Sequence, residues 1–234
     1  MKMAALVLVL ILLALIAKWA IPFYQTVQIS KKLIEAAEPY RNEVGDYRKP
    51  MLVLGDSTAV GVGAGSPEES VPALVAAQIG ATNVENYAVS GAFVGNLPAQ
   101  IEQARAPHYA LILIQVGANN IVRFSNATST AQKLGAILDT LPSTSKVVIL
   151  TAGDVGGATL WPVPLRPIYT KLTIAYNEVF GKTAAARDMI YVNLYEDPSR
   201  QIITNDPQTY LAADGFHPSS EGYRLWFEAI RPHL

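Results

Sequence analysis

Short apolar runs alternate with longer amphipathic stretches along the chain from Met51 onward. Runs of this length predict β-strands, and the amphipathic stretches between them predict helices. The predicted strands are 51–54, 84–89, 109–116, 146–151 and 189–194. The predicted helices are 69–79, 97–105, 129–141, 168–187 and 219–230. This order of elements is typical of an α/β domain.

The predicted strands are continuous apolar runs, which favours a parallel sheet covered by helices on both faces. We therefore predict a three-layer α/β/α sandwich with a mainly parallel five-stranded sheet. In such a sheet the loops that follow the strands open on one edge, where ligands bind. Polar residues at the carboxyl ends of the strands are expected to converge there.

Residues 1–24 are predicted to form a membrane anchor or a signal segment. Residues 3–17 are all apolar, and the segment reaches about the 20 residues of a membrane span when Lys18 and the aromatic belt of 19–24 are included. A cleavable signal needs small residues at alternating positions, where this chain has Leu15 and Lys18. A retained anchor is therefore favoured over a cleaved signal, with the following domain on the extracytoplasmic side. A buried helix of the domain is disfavoured because the run has no polar face.

Residues 25–49 are richer in charge and are predicted to form a juxtamembrane helix or tether. The stretch 29–38 has a helical pattern of apolar positions, and Pro39 and Pro50 limit it. The folded domain is expected to occupy residues 50–234.

The composition excludes several classes of chemistry and partner. The formal net charge is -1, and no basic run is interleaved with aromatic residues, so nucleic acid is not an expected partner. The chain contains no cysteine, which excludes disulfides, thiolate metal sites and a cysteine nucleophile.

Ser57 is a candidate nucleophile because it follows the first predicted strand. Gly55 precedes it and Gly61 follows, so that backbone and substrate can approach the hydroxyl closely. The same residues also suit an ordinary βα turn. Asp56 is expected to bond the turn, because neighbouring side chains point apart.

A serine nucleophile needs a base and a group that orients the base. Of the three histidines, His108 precedes a strand at the opposite edge of the sheet and His233 is the penultimate residue, which leaves His217. Asp214 lies in the same loop, within reach of the imidazole. The structural alternative is that Asp214 caps a turn and His217 precedes Pro218 at the start of a helix.

Three further groups are candidates for stabilising an oxyanion. Asn119 offers a side-chain amide after the third predicted strand, Gly91 offers a backbone N–H after the second, and Ser57 offers its own N–H. Glycine and asparagine also occur in ordinary turns, and that alternative applies to both residues.

Together these residues resemble the four sequence blocks of the SGNH hydrolases, also called GDSL esterases and lipases. The blocks are Gly55-Asp56-Ser57 with Gly61, then Gly91, then Gly117-Ala118-Asn119, then Asp214-Gly215-Phe216-His217. The resemblance covers the chain from about Met51 to the C-terminus. It implies a flavodoxin-like fold and hydrolysis of small-molecule acyl esters, with no metal and no organic cofactor. Ser57 would be the nucleophile, His217 the base and Asp214 its orienter, with Gly91 and Asn119 as oxyanion donors.

Two positions depart from the family pattern. Thr58 stands where the family has leucine, and Asn120 stands where aspartate is common after the oxyanion asparagine. Thr58 is expected to face packing rather than chemistry, and Asn120 leaves the oxyanion donor in place. Activity is therefore expected to survive both departures.

Three functions are compatible with this pattern. The first is a membrane-tethered esterase for acyl esters, lysophospholipids or thioesters, with Val122, Leu160 and Trp161 as candidate substrate-binding residues that equally suit covering the sheet edge. The second is a deacetylase of cell-wall or other polysaccharides, for which an aromatic groove is expected. The third is an anchored binding module without turnover, which the presence of all three triad residue types disfavours.

Overall fold

A computed structural model describes the backbone of residues 2–42 and 44–234, and the side chains of residue 18, residues 20–42 and residues 44–234. Its strands are β1 (Pro50–Gly55), β2 (Asn83–Asn86), β3 (Leu111–Gln115), β4 (Val147–Leu150) and β5 (Ile190–Val192). They form one parallel sheet in the order β2-β1-β3-β4-β5. The predicted five-stranded parallel sheet is confirmed.

Helices cover both faces of this sheet. They are α1 (Lys2–Ala36), α2 (Ser57–Val60), α3 (Val71–Ile79), α4 (Leu97–Ile101), α5 (Ala118–Val122), α6 (Ala127–Leu138), α7 (Arg166–Ala185), α8 (Ser199–Asn205), α9 (Pro207–Tyr210) and α10 (Ser220–Ile230). Helices α4 to α7 pack on one face, and α2, α3 and α10 pack on the other. The three-layer α/β/α sandwich is therefore confirmed.

The burial of β1 explains why the strands are continuous apolar runs. Leu52 and Leu54 belong to the core on the α7 face, whereas Met51 and Val53 belong to the core on the α10 face. Successive side chains of a strand point to opposite faces, so a central strand with helices on both sides needs apolar residues at every position.

Two features of the fold differ from the sequence-based expectation. Strand β2 ends at Asn86 rather than residue 89, because the Asn86 side chain accepts a hydrogen bond from Ala88 N–H and donates to Ala59 O, which turns the chain. Helices α2, α5, α8 and α9 lie in stretches for which no element was predicted. Each is too short to display a helical period in the sequence.

Helix α1 continues past residue 24 and ends at Ala36. Its Phe23 ring lies 6.4 Å from the Trp161 ring, and Leu33 packs against the core on the α10 face. Of the residues 1–24 on which the anchor prediction rests, the side chains of residues 1–17 and 19 lie outside the described residues. Within the part of the chain that the structure describes, no helix has the length and apolarity needed to cross a membrane.

Candidate active site

Ser57 is the first residue of helix α2, directly after β1. The turn before it requires glycine, because Gly55 has φ +144° and a Cβ there would lie 1.9 Å from Gln115 O on β3. Asp56 caps α2 by accepting hydrogen bonds of 3.0 Å from the backbone N–H and the hydroxyl of Thr58. The Asp56 carboxylate thus bonds the turn, and Thr58 supports that bond. Ser57 is left at the carboxyl edge of the sheet.

The Asp56 carboxyl group is buried beneath this turn. Burial raises its pKa to about 6, although the hydrogen bonds from Thr58 and the charge of His217 act in the opposite direction. The Asp56 carboxyl group, next to Ser57 in the chain, is therefore about half protonated at mildly acidic pH.

His217 joins Ser57 to Asp214 by two hydrogen bonds. Its Nε2 lies 2.9 Å from Ser57 Oγ, and its Nδ1 lies 2.6 Å from Asp214 Oδ2. All three side chains are buried. Burial raises the pKa of Asp214, but the hydrogen bond and charge of His217, with two backbone N–H donors, hold this pKa below its ordinary value. Asp214 is therefore ionised against the imidazole.

The loop that carries this pair is folded by Asp214 itself. Asp214 Oδ1 accepts hydrogen bonds of 3.0 Å from the backbone N–H groups of Phe216 and His217, while Oδ2 remains for the imidazole. Gly215 adopts φ +59°, and Ala212 N–H donates to His217 O at 2.8 Å. The turn alternative and the imidazole contact are thus both realised, one by each carboxylate oxygen.

The loops that follow β2 and β3 are in contact beside this site. Asn119 Nδ2 donates to Ala92 O at 3.1 Å, next to the exposed Gly91, whose φ is +84°. An amide nitrogen has two N–H groups, so Asn119 retains a second one after this bond. Asn120 Oδ1 accepts from Val94 N–H at 3.1 Å. This is an acceptor that an aspartate would also offer, which explains why the departure at residue 120 leaves the loop held.

A cavity of about 60 Å³ opens beside Ser57 and His217. It lies between the loop after β4, helix α8 and helix α10. Its apolar lining includes Val155, Ala158, Leu194, Ile203, Leu211 and Trp226. The sequence interpretation did not find Leu194, Ile203 or Trp226. The signal available for α8 was Asp197, which accepts Ser199 N–H at 2.8 Å at the start of the helix.

The predicted substrate-binding residues Val122, Leu160 and Trp161 lie outside this lining. Trp161 is buried, stacks on Tyr169 at a centroid distance of 4.4 Å and donates Nε1–H to Val155 O. Val122 and Leu160 are half-buried and pack against the core on the α7 face. Trp161 nevertheless meets the cavity indirectly, because its ring contacts Phe216, which lines it.

The other chemistry-bearing groups are placed as follows. His108 bonds the hydroxyls of Ser143 and Ser145 at 2.9 Å each, away from the site. Among the described residues, no group of three His, Asp or Glu side chains is placed to hold a metal ion.

Comparisons with known proteins agree with this architecture. Residues 53–225 match the model of the GDSL-like lipase/acylhydrolase family. The GDSL-like esterase Rv1075c of Mycobacterium tuberculosis is 28% identical over an alignment of 198 residues that covers 80% of this chain and 61% of that protein. The chain thus matches less than two thirds of that relative's length.

Two solved structures share the fold. Phospholipase A1 from Streptomyces albidoflavus NA297 has a TM-score of 0.60 and 18% identity, over 80% of this chain and 99% of that one. TesA has a TM-score of 0.57 and 23% identity, over 80% and 98% of the two chains. The family model matches most of the chain, and the sheet places Ser57, Asn119 and His217 at one edge. The protein therefore belongs to the GDSL-like lipase/acylhydrolase family.

Proposed function

We propose that this chain is a serine hydrolase of carboxylic esters. Ser57 is the nucleophile, His217 the general base and Asp214 the group that orients the base. The observation that carries the proposal is the continuous hydrogen-bond chain from Ser57 Oγ through the His217 imidazole to Asp214 Oδ2. Membership of a family of lipases and acylhydrolases supports it.

In the first half of the reaction, Ser57 Oγ attacks the carbonyl carbon of the ester and its proton passes to His217 Nε2. The electron pair of the carbonyl bond moves onto oxygen. The donors proposed for this oxyanion are the backbone N–H groups of Ser57 and Gly91 and the second N–H of Asn119. Asp214 stabilises the imidazolium that forms. When the tetrahedral intermediate collapses, His217 returns the proton to the leaving alcohol.

In the second half, water attacks the acyl-serine and gives its proton to His217 Nε2. The same donors stabilise the second oxyanion, the Ser57 oxygen leaves, and His217 protonates it. The products are a carboxylic acid and the free enzyme. The whole reaction therefore consumes the ester and one water molecule and releases the alcohol and the carboxylic acid.

The acyl half of the substrate is proposed to lie in the apolar cavity beside Ser57. A cavity needs roughly 10–15 Å³ of this kind of volume to hold one water molecule. A cavity of about 60 Å³ therefore suits an acyl group of a few carbons. A longer chain would extend out of the cavity. Neutral oxyanion donors favour a carboxylic ester over a phosphate or sulfate ester, which usually requires basic side chains around the anion.

Labelling with a fluorophosphonate tests the nucleophile. The wild-type chain is expected to be labelled at Ser57 alone, and Ser57→Ala is expected to abolish labelling and esterase activity. Ser199→Ala is the matched control, because Ser199 lines the same cavity. Labelling that persists in Ser57→Ala, or its absence in the wild type, would overturn the enzyme assignment in favour of a binding module.

Chromogenic esters of increasing acyl length test the substrate class, with an acetylated polysaccharide assayed in parallel. We expect the highest kcat/KM among short acyl chains and little release of acetate from the polysaccharide. The reverse order would favour the deacetylase.

We also propose that residues 1–24 form a retained membrane anchor, with the hydrolase domain on the extracytoplasmic side. The support is the unbroken apolar run of residues 3–17 with Lys18 after it.

A further inference from the structure

The edge of the sheet that carries Ser57 exposes a group of large apolar side chains. They lie on the loops after β2, β3 and β4 and in the first turn of α7. Their exposed fractions are 56% for Val89, 58% for Phe124, 61% for Val163, 39% for Leu165 and 45% for Ile168. We name these five residues the apolar rim. Single exposed apolar residues are ordinary, but a group around one site indicates an interaction surface.

Aromatic contacts connect the apolar rim to the catalytic base. The ring centroids of Phe124 and Tyr169 are 5.3 Å apart, and Tyr169 stacks on Trp161 with a centroid distance of 4.4 Å. The ring centroids of Trp161 and Phe216 are 5.9 Å apart, and those of Phe216 and His217 are 5.1 Å apart. The exposed end of this row and the base are thus parts of one packed unit. A surface that contacts Phe124 would therefore contact the packed unit that also holds the His217 ring.

The loops that carry the apolar rim hold few charges. Residues 87–96, 116–126 and 151–168 contain two basic side chains, Arg123 and Arg166, and one acid, Asp154. Asp154 is internally bonded, because its carboxylate accepts from Gly156 N–H and the Thr170 hydroxyl. Arg166 is also internally bonded, because it donates to Trp161 O and Thr159 O. The other loops of this edge, 56–70 and 193–219, contain seven acids and one arginine or lysine, Arg200. Contact with lipid is therefore favoured by the exposed apolar side chains rather than by charge.

Helix α1 approaches the same edge of the sheet. Its Phe23 contacts Trp161 there. After the helix ends, Asn42 pairs with Val84 near the start of β2, which is the opposite edge. The chain thus contacts the Ser57 edge at Phe23 within the helix and reaches the amino edge at Asn42, after the helix has ended. The apolar run of residues 3–17 precedes this contact in the sequence.

We propose that the apolar rim docks on the surface of a phospholipid bilayer, so that the opening beside Ser57 faces the membrane. The proposal rests on the anchor of the proposed function, and its first test does not depend on catalysis. Esters embedded in the membrane would then reach Ser57 without first leaving the lipid.

Site-specific fluorescence tests the contact in the full chain. Because the chain has no cysteine, Val163→Cys and Val44→Cys each accept a single label. Val44 is 70% exposed and lies at the amino edge, where Gly45 N–H bonds the Asn83 side chain. Both variants carry Ser57→Ala and are reconstituted in vesicles of phosphatidylcholine and phosphatidylglycerol. We expect acyl-chain nitroxides to quench the label at residue 163 but not at residue 44. Equal quenching, or no vesicle association, would overturn the proposal.

Activity gives a second, independent readout. The rim variant Val163→Ser/Ile168→Gln is compared with Val44→Ser/Ile174→Gln, which removes similarly exposed residues elsewhere. We expect the rim variant to hydrolyse a vesicle-embedded ester about tenfold more slowly while its kcat/KM on a soluble ester stays unchanged. The control is expected to match wild type on both. A parallel loss on both substrates would contradict docking. Inactivity of wild type on every ester would instead contradict the hydrolase assignment, leaving the fluorescence result to decide the docking.

Discussion

At the scale of single residues, the two carboxylate oxygens of Asp214 have separate functions. Oδ1 accepts two backbone N–H groups and folds the loop, while Oδ2 contacts the imidazole at 2.6 Å. Asparagine in this position would keep the Oδ1 acceptor. It would place an amide donor where the imidazole N–H requires an acceptor. One substitution therefore separates the structural contribution of this residue from its proposed catalytic contribution.

Asp214→Asn is expected to lower kcat by about 10⁴, because the amide favours the wrong imidazole tautomer. The melting temperature is expected to change little. Steady-state kinetics on a soluble ester and thermal unfolding measure the two effects. Asp206→Asn is the control, because Asp206 also accepts a backbone N–H, from Thr209. Turnover of Asp214→Asn within about threefold of wild type would show that Asp214 does not orient the base.

Asp56 is a buried acid whose pKa is raised from 3.8 to about 6. The folded state therefore binds this proton more tightly than the unfolded state. The free energy of unfolding consequently falls as pH rises from about 4 to 6, by up to ~3 kcal/mol. The destabilisation is complete above pH 6. This sign is opposite to that of Asp214, whose pKa is lowered.

Asp56→Asn removes that titration and keeps an oxygen to accept from Thr58. Its free energy of unfolding relative to wild type is expected to rise between about pH 4 and 6 and then to stay constant. Urea unfolding at several pH values measures this difference. Asp139→Asn is the control with the opposite direction, because its ion pair with Arg187 lowers the Asp139 pKa. A difference that does not vary with pH would contradict the raised pKa.

At the scale of elements, the strand and helix that position Ser57 depend on one close approach. At Gly55 a Cβ would lie 1.9 Å from Gln115 O, and Asp56 N–H donates to that same oxygen at 2.9 Å. The β1–β3 pairing and the Ser57 turn are thus joined at one carbonyl. A side chain at residue 55 would force these two elements apart.

Gly55→Ala is expected to cost about 3 kcal/mol or more, because backbone atoms must move. Gly80→Ala is the matched control, since Gly80 also has a positive φ, +64°, but its Cβ would meet open space. The control is expected to cost about 1 kcal/mol. Chemical unfolding compares the two variants. Equal losses would show that the approach to Gln115 is not the cause.

The elements most accurately predicted are those whose pattern comes from burial. Strand β1 was expected over residues 51–54 and spans Pro50–Gly55, because its apolar side chains alternate between the two cores. The end of β2 at Asn86 could not be predicted, because it depends on a bond to Ala59 O in a distant turn. The hydrophobic pattern of a sequence thus predicts which residues are buried, whereas the end of a strand or helix depends on individual polar contacts.

At the scale of the whole molecule, the sheet collects its functional loops on one edge. The same edge carries the apolar rim and receives Phe23 of α1. This arrangement relates the proposed membrane anchor to the proposed orientation of the site. In this proposal the N-terminal segment holds the domain at the membrane and also sets which face of the domain contacts the lipid.

The full-length chain is expected to stay in membranes after washing with high salt and carbonate, because residues 3–17 carry no polar side chain. Leu10→Asp/Leu13→Asp is expected to release it, since each charge at the centre of a span costs about 3 kcal/mol. Membrane fractionation measures both, and N-terminal sequencing accompanies it. A shortened N-terminus would show a cleaved signal instead of an anchor.

The sequence by itself determined the parallel sheet and the identity of Ser57, Asp214 and His217 as candidates. Both depend on local information: continuous apolar runs, residue types at strand ends, and a spacing that lets one loop hold acid and base. Only the tertiary structure decided the 2.9 Å contact between Ser57 and His217, the cavity with Ile203 and Trp226, and the gathering of the apolar rim at the same edge. These features join residues far apart in the chain, and distances between such residues are fixed by packing rather than by pattern.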